Sequence, residues 1–206
     1  MTRGQLITFE GIDGSGKSTQ AKMLVERLRA KGMDVIHTRE PGGSTGAEEI
    51  RQLILTGDTD RWSPETEILL FTAARRDHLE KTIRPALEAG QIVICDRFAD
   101  STRVYRGATR GDLRAKVDQL HDLMIGQEPD LTFIIDMDPA IALARGLARP
   151  DAEARFEDFG VSFQETVRHG FLSIARAQSD RCVVVEGNRT PDEVAAEVLA
   201  IFEDRA

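Results

Sequence analysis

An open, mostly parallel α/β sheet flanked by helices is predicted by three features of the 206-residue sequence. Short apolar runs alternate with longer helical patterns, two of those runs are continuously apolar and bounded by Asp, and chemistry-bearing residues recur where the runs end. A strand covered on both faces has no polar side to show, so unbroken runs at 92–95 and 131–135 read as inner strands of a parallel sheet. Runs at 5–10, 34–38 and 182–185 bring the count to five strands.

The helices follow from periodicity. Between 18 and 31, Ala21, Leu24, Val25 and Leu28 recur at i, i+3, i+4 and i+7, which puts them on one face, and Gly32 supplies the stop. After the second strand a Pro-Gly-Gly turn at 41–43 leads into helical sequence over 45–55, and a longer helical stretch covers 64–89. Further helical segments separate the later strands. Thr190, Pro191 and Glu193 form a capping box with Pro at the first helical position, and Val194, Val198, Ile201 and Phe202 then make an apolar stripe. The exception is 145–159, dense in Arg, Asp and Glu around Pro150, which reads as a mobile charged loop within a single domain spanning 1–206.

Composition removes several function classes. Hydrophobic content of 41% with 30% charged residues is that of a globular chain, and no apolar run approaches the roughly 20 residues that span a bilayer, so no membrane partner is expected. The first ten residues lack the features of a signal peptide, and cytoplasmic residence follows as an expectation. Cys95 and Cys182 both sit in apolar runs, where a thiol behaves as a small buried hydrophobe. A net charge of −8 speaks against nucleic acid as a partner, because a phosphate backbone demands a basic surface. Of the 27 basic residues 22 are Arg, whose planar fork matches a phosphate group.

The strongest local signal follows the first strand. Gly11-Ile12-Asp13-Gly14-Ser15-Gly16-Lys17-Ser18 satisfies the G-x-x-x-x-G-K-[ST] pattern between a strand and a helix, with Thr19 continuing into the helix. Glycines let the backbone curl so that its N–H groups face phosphate oxygens, and the helix start adds partial positive charge. Lys17 is the residue type that reaches β- and γ-phosphates, and a hydroxyl at Ser18 suits Mg²⁺, so the pattern specifies a nucleoside triphosphate, expected to be ATP, with Mg²⁺ on a P-loop NTPase fold. Guanine-specific switch proteins usually carry N-K-x-D or T-K-x-D, and this sequence has neither.

Four further segments narrow the class. They are Thr38-Arg39-Glu40-Pro41-Gly42-Gly43, the stretch from Phe71 to Arg75, Asp96-Arg97-Phe98 with Ser101-Thr102, and the stretch from Tyr105 to Gly111 containing Arg110. Phe71 and Arg75 stand four residues apart on a helix, where a ring can stack on a base while a guanidinium donates to a base carbonyl. Asp96 and Arg97 follow a buried strand, at the sheet edge where ligands bind. Together with the P-loop these segments resemble thymidylate kinases over most of the chain from Leu6 to about Arg155.

The resemblance implies a nucleoside monophosphate kinase with a mobile lid, dTMP as phosphoryl acceptor and a homodimer. It makes Phe71 and Arg75 the holders of thymine, Arg97 the clamp on the acceptor phosphate and Asp96 a partner of Mg²⁺-bound water. It assigns Asp13 to the acceptor 3′-hydroxyl, and Tyr105 to crowding out a ribose 2′-hydroxyl. Glu40 and Pro41 border the acceptor sugar, with Ser101 and Thr102 on the substrate side. Lys17, Asp13, Arg97 and the lid residues Arg149 and Arg155 are the catalytic set. Arg145 and the loop Gly187-Asn188-Arg189 border adenine. Two departures stand out: Arg106 follows Tyr105 where the family commonly has Gln, and the lid arginines fit by residue type rather than register. A kinase for another nucleoside monophosphate remains compatible with Arg106. A non-catalytic nucleotide-dependent binding or switch protein is the reading from a different class.

Overall fold

The computed structural model describes residues 3–58, 61–107, 113–148 and 160–205. Five parallel strands, β1 (Leu6–Glu10), β2 (Val35–Arg39), β3 (Ile92–Asp96), β4 (Leu131–Asp136) and β5 (Cys182–Glu186), lie in the order β2-β3-β1-β4-β5. Every residue of β1 is buried, because this central strand is sandwiched between helices and flanked by β3 and β4. Its chain direction feeds the topological switch point of the sheet, the place where ligands bind in open α/β folds.

Nine helices are described: α1 (Lys17–Ala30), α2 (Thr45–Leu55), α3 (Pro64–His78), α4 (Arg84–Glu88), α5 (Ala99–Gly107), α6 (Arg114–Met124), α7 (Pro139–Leu147), α8 (Gly160–Ala177) and α9 (Pro191–Arg205). The predicted stretch 64–89 is helical throughout but not uniform, since one π turn, Leu79–Ile83, joins α3 to α4. Pro85 has no N–H to donate into the α-helical ladder, and widening the preceding turn absorbs the mismatch. Among the described residues, no helix is long and apolar enough to cross a membrane.

One core cluster joins Ile7, Phe9 and Phe133 to Leu24 and Leu28 of α1 and Val198 and Phe202 of α9. Phe9 and Phe133 stack at 5.1 Å between ring centroids. On the opposite face Leu6, Val93 and Cys95 pack against Leu79, Ile83, Leu87 and Phe98. The strand period of two sends Ile92 and Ile94 to one face and Val93 and Cys95 to the other, and both faces being apolar explains the unbroken run at 92–95.

The capping box at α9 forms as its residue types predict: Thr190 N–H donates to Glu193 at 2.9 Å, while Glu193 N–H reaches Thr190 Oγ1 at 3.4 Å. Thr190→Ala should therefore lower unfolding stability by about 1 kcal/mol. Chemical denaturation with an unchanged m-value is the measurement, and no loss of stability would remove the cap from the account.

Candidate active site

A cavity of about 280 Å³ opens beyond the carboxyl ends of β1, β2 and β3. Asp13, Gly14, Lys17 and Ser18 line one side, and Glu40, Pro41, Phe71, Arg75, Asp96, Arg97, Ser101, Thr102 and Tyr105 line much of the rest. Asp13 and Tyr105, 92 positions apart in sequence, converge there because parallel strands deliver their ends to one edge. Gly11, Ile12, Ser15, Gly16 and Thr19 do not line this cavity; they belong to the turn beside it and to the start of α1.

The P-loop turn is set by steric necessity. Gly14 has φ +82°, and a Cβ there would lie 1.9 Å from the carbonyl oxygen of Ala142 on α7, so the loop packs against that helix with no room for a side chain. Ser15 Oγ is buried without a hydrogen-bond partner among the described residues. Lys17 curls back inside the loop, donating to Ile12 O at 3.2 Å and to Asp13 Oδ1 at 3.3 Å. Burial pushes its ammonium below the usual lysine value, and the neighbouring Arg97 adds to that, against Asp13 and Asp96.

Asp13 is the hub of the charge arrangement. It receives Lys17, an ion pair from Arg97 and the Tyr105 hydroxyl at 2.8 Å. Burial pushes its carboxyl up, yet Arg97, Lys17 and the Tyr105 hydrogen bond together hold it well below the usual carboxylate range. Arg97 occupies φ +67°, a left-handed conformation that costs a non-glycine residue about 1–3 kcal/mol. Its guanidinium donates to Ser101 Oγ at 2.9 Å and lies 5.3 Å from the Tyr105 ring centroid. The cavity thus holds two cations from separate elements around one carboxylate, a geometry able to receive two anionic groups.

Its other end has an aromatic platform and an oriented fork. Arg75 is 4% exposed, donates to Glu40 Oε2 at 2.7 Å and Thr102 Oγ1 at 3.0 Å, and lies over the Phe98 ring. Glu40 also contacts His78 Nδ1 at 3.1 Å, and His78 Nε2 meets Thr38 Oγ1 at 2.7 Å. Gly43 at φ +87° makes that chain possible, since a Cβ would come within 2.4 Å of His78 and 2.3 Å of Thr38. Glu40, expected beside a sugar, therefore has a second task in the fold: it orients Arg75.

Arg106 also lines the cavity, pairing with the buried Glu67 at 2.9 Å while lying 5.3 Å from the centroid of Phe71. Its charge is thus matched from α3. Arg39 and Phe98, from the segments read in the sequence, and Gly146 line the cavity as well, as do Arg51 and Leu55, which were not singled out from sequence. Arg51 donates to Pro41 O at 2.7 Å. The one sequence signal for it was an Arg on a helix that starts at the Pro-Gly-Gly turn. Arg145 is exposed on α7 near Met137 and does not line the cavity. Arg149, Arg155, Arg110 and most of the predicted lid lie outside the described residues.

For a cation the donor set is spare. Among the described residues, no cluster of three or more His, Cys, Asp or Glu could hold a metal alone. Asp96 Oδ1, however, is buried without a hydrogen-bond partner among the described residues, and Asp96 shares the cavity with Ser18. One carboxylate and one hydroxyl beside a phosphate-binding loop suit Mg²⁺, which keeps waters and substrate phosphates as its other ligands.

Parallel sheet, P-loop at the central strand and a second cation-lined half-site together define a P-loop kinase of the nucleoside monophosphate type. Comparison with known proteins narrows the class. The thymidylate kinase family model matches residues 9–198. A thymidylate kinase of Dinoroseobacter shibae is 70% identical over 96% of this chain and 95% of its own length, and one of Ruegeria pomeroyi is 66% identical over 96% and 94%. The crystal structure of thymidylate kinase from Ehrlichia chaffeensis superimposes with a TM-score of 0.79 at 38% identity, covering 98% of this chain and 99% of that one. The chain belongs to the thymidylate kinase family.

Two outcomes check the electrostatics. Asp13→Asn should reduce stability at neutral pH by about 1–2 kcal/mol, discounted for partial exposure. Because the folded carboxyl is depressed, its contribution is full above its ordinary value of 3.8 and is lost as pH falls toward the folded value. The variant's acid-unfolding profile should then be shallower than the wild type's below pH of about 4, read by circular dichroism. Separately, Glu67→Leu should destabilise by about 3–5 kcal/mol by removing the carboxylate of a buried ion pair, and adding Arg106→Met should recover much of that loss.

Proposed function

We propose that the protein transfers the γ-phosphoryl group of ATP to dTMP, giving ADP and dTDP. The observation that carries this reading is the meeting of Lys17 and Arg97 on Asp13 inside one cavity. Lys17 and the loop amides from Gly11 to Thr19 hold the donor phosphates, and Arg97 holds the acceptor phosphate. An acceptor oxygen forms the new P–O bond as the bond to the ADP oxygen breaks. The acceptor phosphate, with a second pKa of about 6, is mostly a dianion at neutral pH and needs no general base. Alignment and charge neutralisation therefore supply the rate.

Phe71 and Arg75 hold thymine by stacking and by donation to a base carbonyl. Asp13 and Tyr105 meet the sugar, with Glu40 and Pro41 at its border and Ser101 and Thr102 on the substrate side. Ser18 and Asp96 would hold Mg²⁺, whose contribution when bound is to neutralise phosphate charge. We assign the lid to 145–159, with Arg149 and Arg155 supplying positive charge to the transferred group and excluding water on closure. Arg145 and Gly187-Asn188-Arg189 border adenine in this reading.

The remaining assignments are a homodimer and the cytoplasm. Leu53, Leu69 and Leu123 are exposed on α2, α3 and α6, and exposed apolar side chains of this kind suit contact with a second copy of the chain. Sedimentation should give twice the chain mass. Two free buried thiols, Cys95 and Cys182, agree with a reducing compartment.

ADP release from ATP should depend on added dTMP and exceed the release with AMP, GMP or CMP. Lys17→Met and Arg97→Ala should each lower kcat/KM about 10²–10³-fold. Arg149→Ala should lower kcat far more than nucleotide affinity, and an unchanged kcat would take Arg149 out of this role. Acceptor-independent ATP consumption in Lys17→Met would defeat the proposal as a whole.

A further inference from the structure

Glu10 ends β1 fully buried behind the acceptor half of the cavity, without lining it. Its Oε1 accepts from Phe98 N–H at 2.8 Å and Ser101 N–H at 3.1 Å, while Oε2 accepts the Ser101 hydroxyl at 2.5 Å. Those N–H groups sit at the entry to α5, where first-turn donors have no partner in their own helix. Phe98, just before the helix, has no side-chain oxygen to cap it, so a carboxylate from another strand performs the cap. The same carboxylate continues outward, since Ser101 Oγ accepts Arg97 Nη1 at 2.9 Å. Arg97 itself stands in the left-handed region, a conformation that persists only where surrounding contacts impose it.

We propose that Glu10 is a positioning residue for the acceptor clamp: from β1 its carboxylate pins the Arg97 turn and, through Ser101, aligns the guanidinium for the acceptor phosphate. This inference rests on Arg97 being that clamp. An anion is required because three donors converge on two oxygens, and only a carboxylate offers acceptors on both without hydrogens of its own. Glutamine would present N–H to Ser101 Oγ, which already receives Arg97.

The positioning form is the ionised one. Burial, helped by Asp100, pushes Glu10 up to about 7, against Ser101, Arg97 and the Phe98 N–H. Asp100 is itself balanced by Arg103 at 2.9 Å and Arg181 at 2.8 Å, and the thiols of Cys95 on β3 and Cys182 on β5 are both pushed up by burial and so stay neutral. With the carboxyl raised above its ordinary value, the folded protein takes up a proton as pH falls through about 7, and dTMP binding should weaken there. Folding stability responds in the opposite sense: this group's contribution is full below its ordinary value of 4.5 and declines as pH rises through about 7.

The test measures KM for dTMP, KM for ATP and kcat across the neutral range for wild type, Glu10→Gln, Ser101→Ala, the double variant and Arg97→Ala. Glu10→Gln should raise the dTMP KM about ten-fold while the ATP KM stays within about two-fold. The wild-type rise in dTMP KM below about pH 7 should vanish in Glu10→Gln, leaving the phosphate's own ionisation near about 6. The double variant should be no worse than the more impaired single, because both substitutions break one link. A folded Glu10→Gln enzyme with the wild-type dTMP KM and pH profile overturns the inference, and so does one in which only thermal stability and kcat fall. If Glu10→Gln does not fold, Ser101→Ala decides, and a wild-type dTMP KM there overturns it. Arg97→Ala with unimpaired dTMP binding would instead defeat the clamp reading itself.

Discussion

Two cations that repel each other share one cavity, and the carboxylate of Asp13 is what lets them do so. Lys17 arrives at the start of α1 and Arg97 from the turn after β3, and both contact the same group. Without that anion, each would raise the cost of charging the other, as the downward push of Arg97 on Lys17 shows. The arrangement is also what a phosphoryl-transfer site requires before its substrates arrive. Fixed positive groups, already desolvated and already oriented, are worth more to a developing negative charge than mobile groups that must reorganise.

The same economy governs the rest of the pocket. Arg75 with Glu40, and Arg106 with Glu67, are ion pairs at 4% side-chain exposure or less. Such pairs add little net stability, because desolvating both ions offsets most of their attraction. Their value here is orientation: each guanidinium is planar, buried and held by a carboxylate, so its remaining edge faces a set direction. Phe71 and Phe98, lying under these guanidinia, complete the cradle with cation–π contacts. Rigid polar groups around a cavity of modest volume favour one ligand shape over near relatives, and the departure at Arg106 is absorbed by Glu67 rather than left to perturb the pocket.

The legible and illegible parts of the site separate by range of interaction. Gly14, Lys17 and Ser18 could be recognised from one another because a P-loop is a local object: strand, tight turn and helix lie within a dozen residues. Phe71 and Arg75 were legible for the same reason, sharing a helix face. Arg51, Glu67 and the second task of Glu40 were not, since each is defined by a partner more than nine residues away across a tertiary contact. The π turn at Leu79–Ile83 was missed because periodicity over 64–89 does not report one extra residue in a turn. Glu10 looked like the polar end of a strand; only the docking of α5 turns it into a cap.

The order of strands and helices along the chain and the nucleotide loop were determined by the sequence itself, because each depends on local period, turn chemistry or a short motif. Which β-strand lies beside which, which carboxylate faces which guanidinium, and which charges are buried were decided only by the tertiary structure. Those features depend on distance and desolvation, and a buried charge acquires its meaning from whatever else the fold has brought within a few ångströms of it.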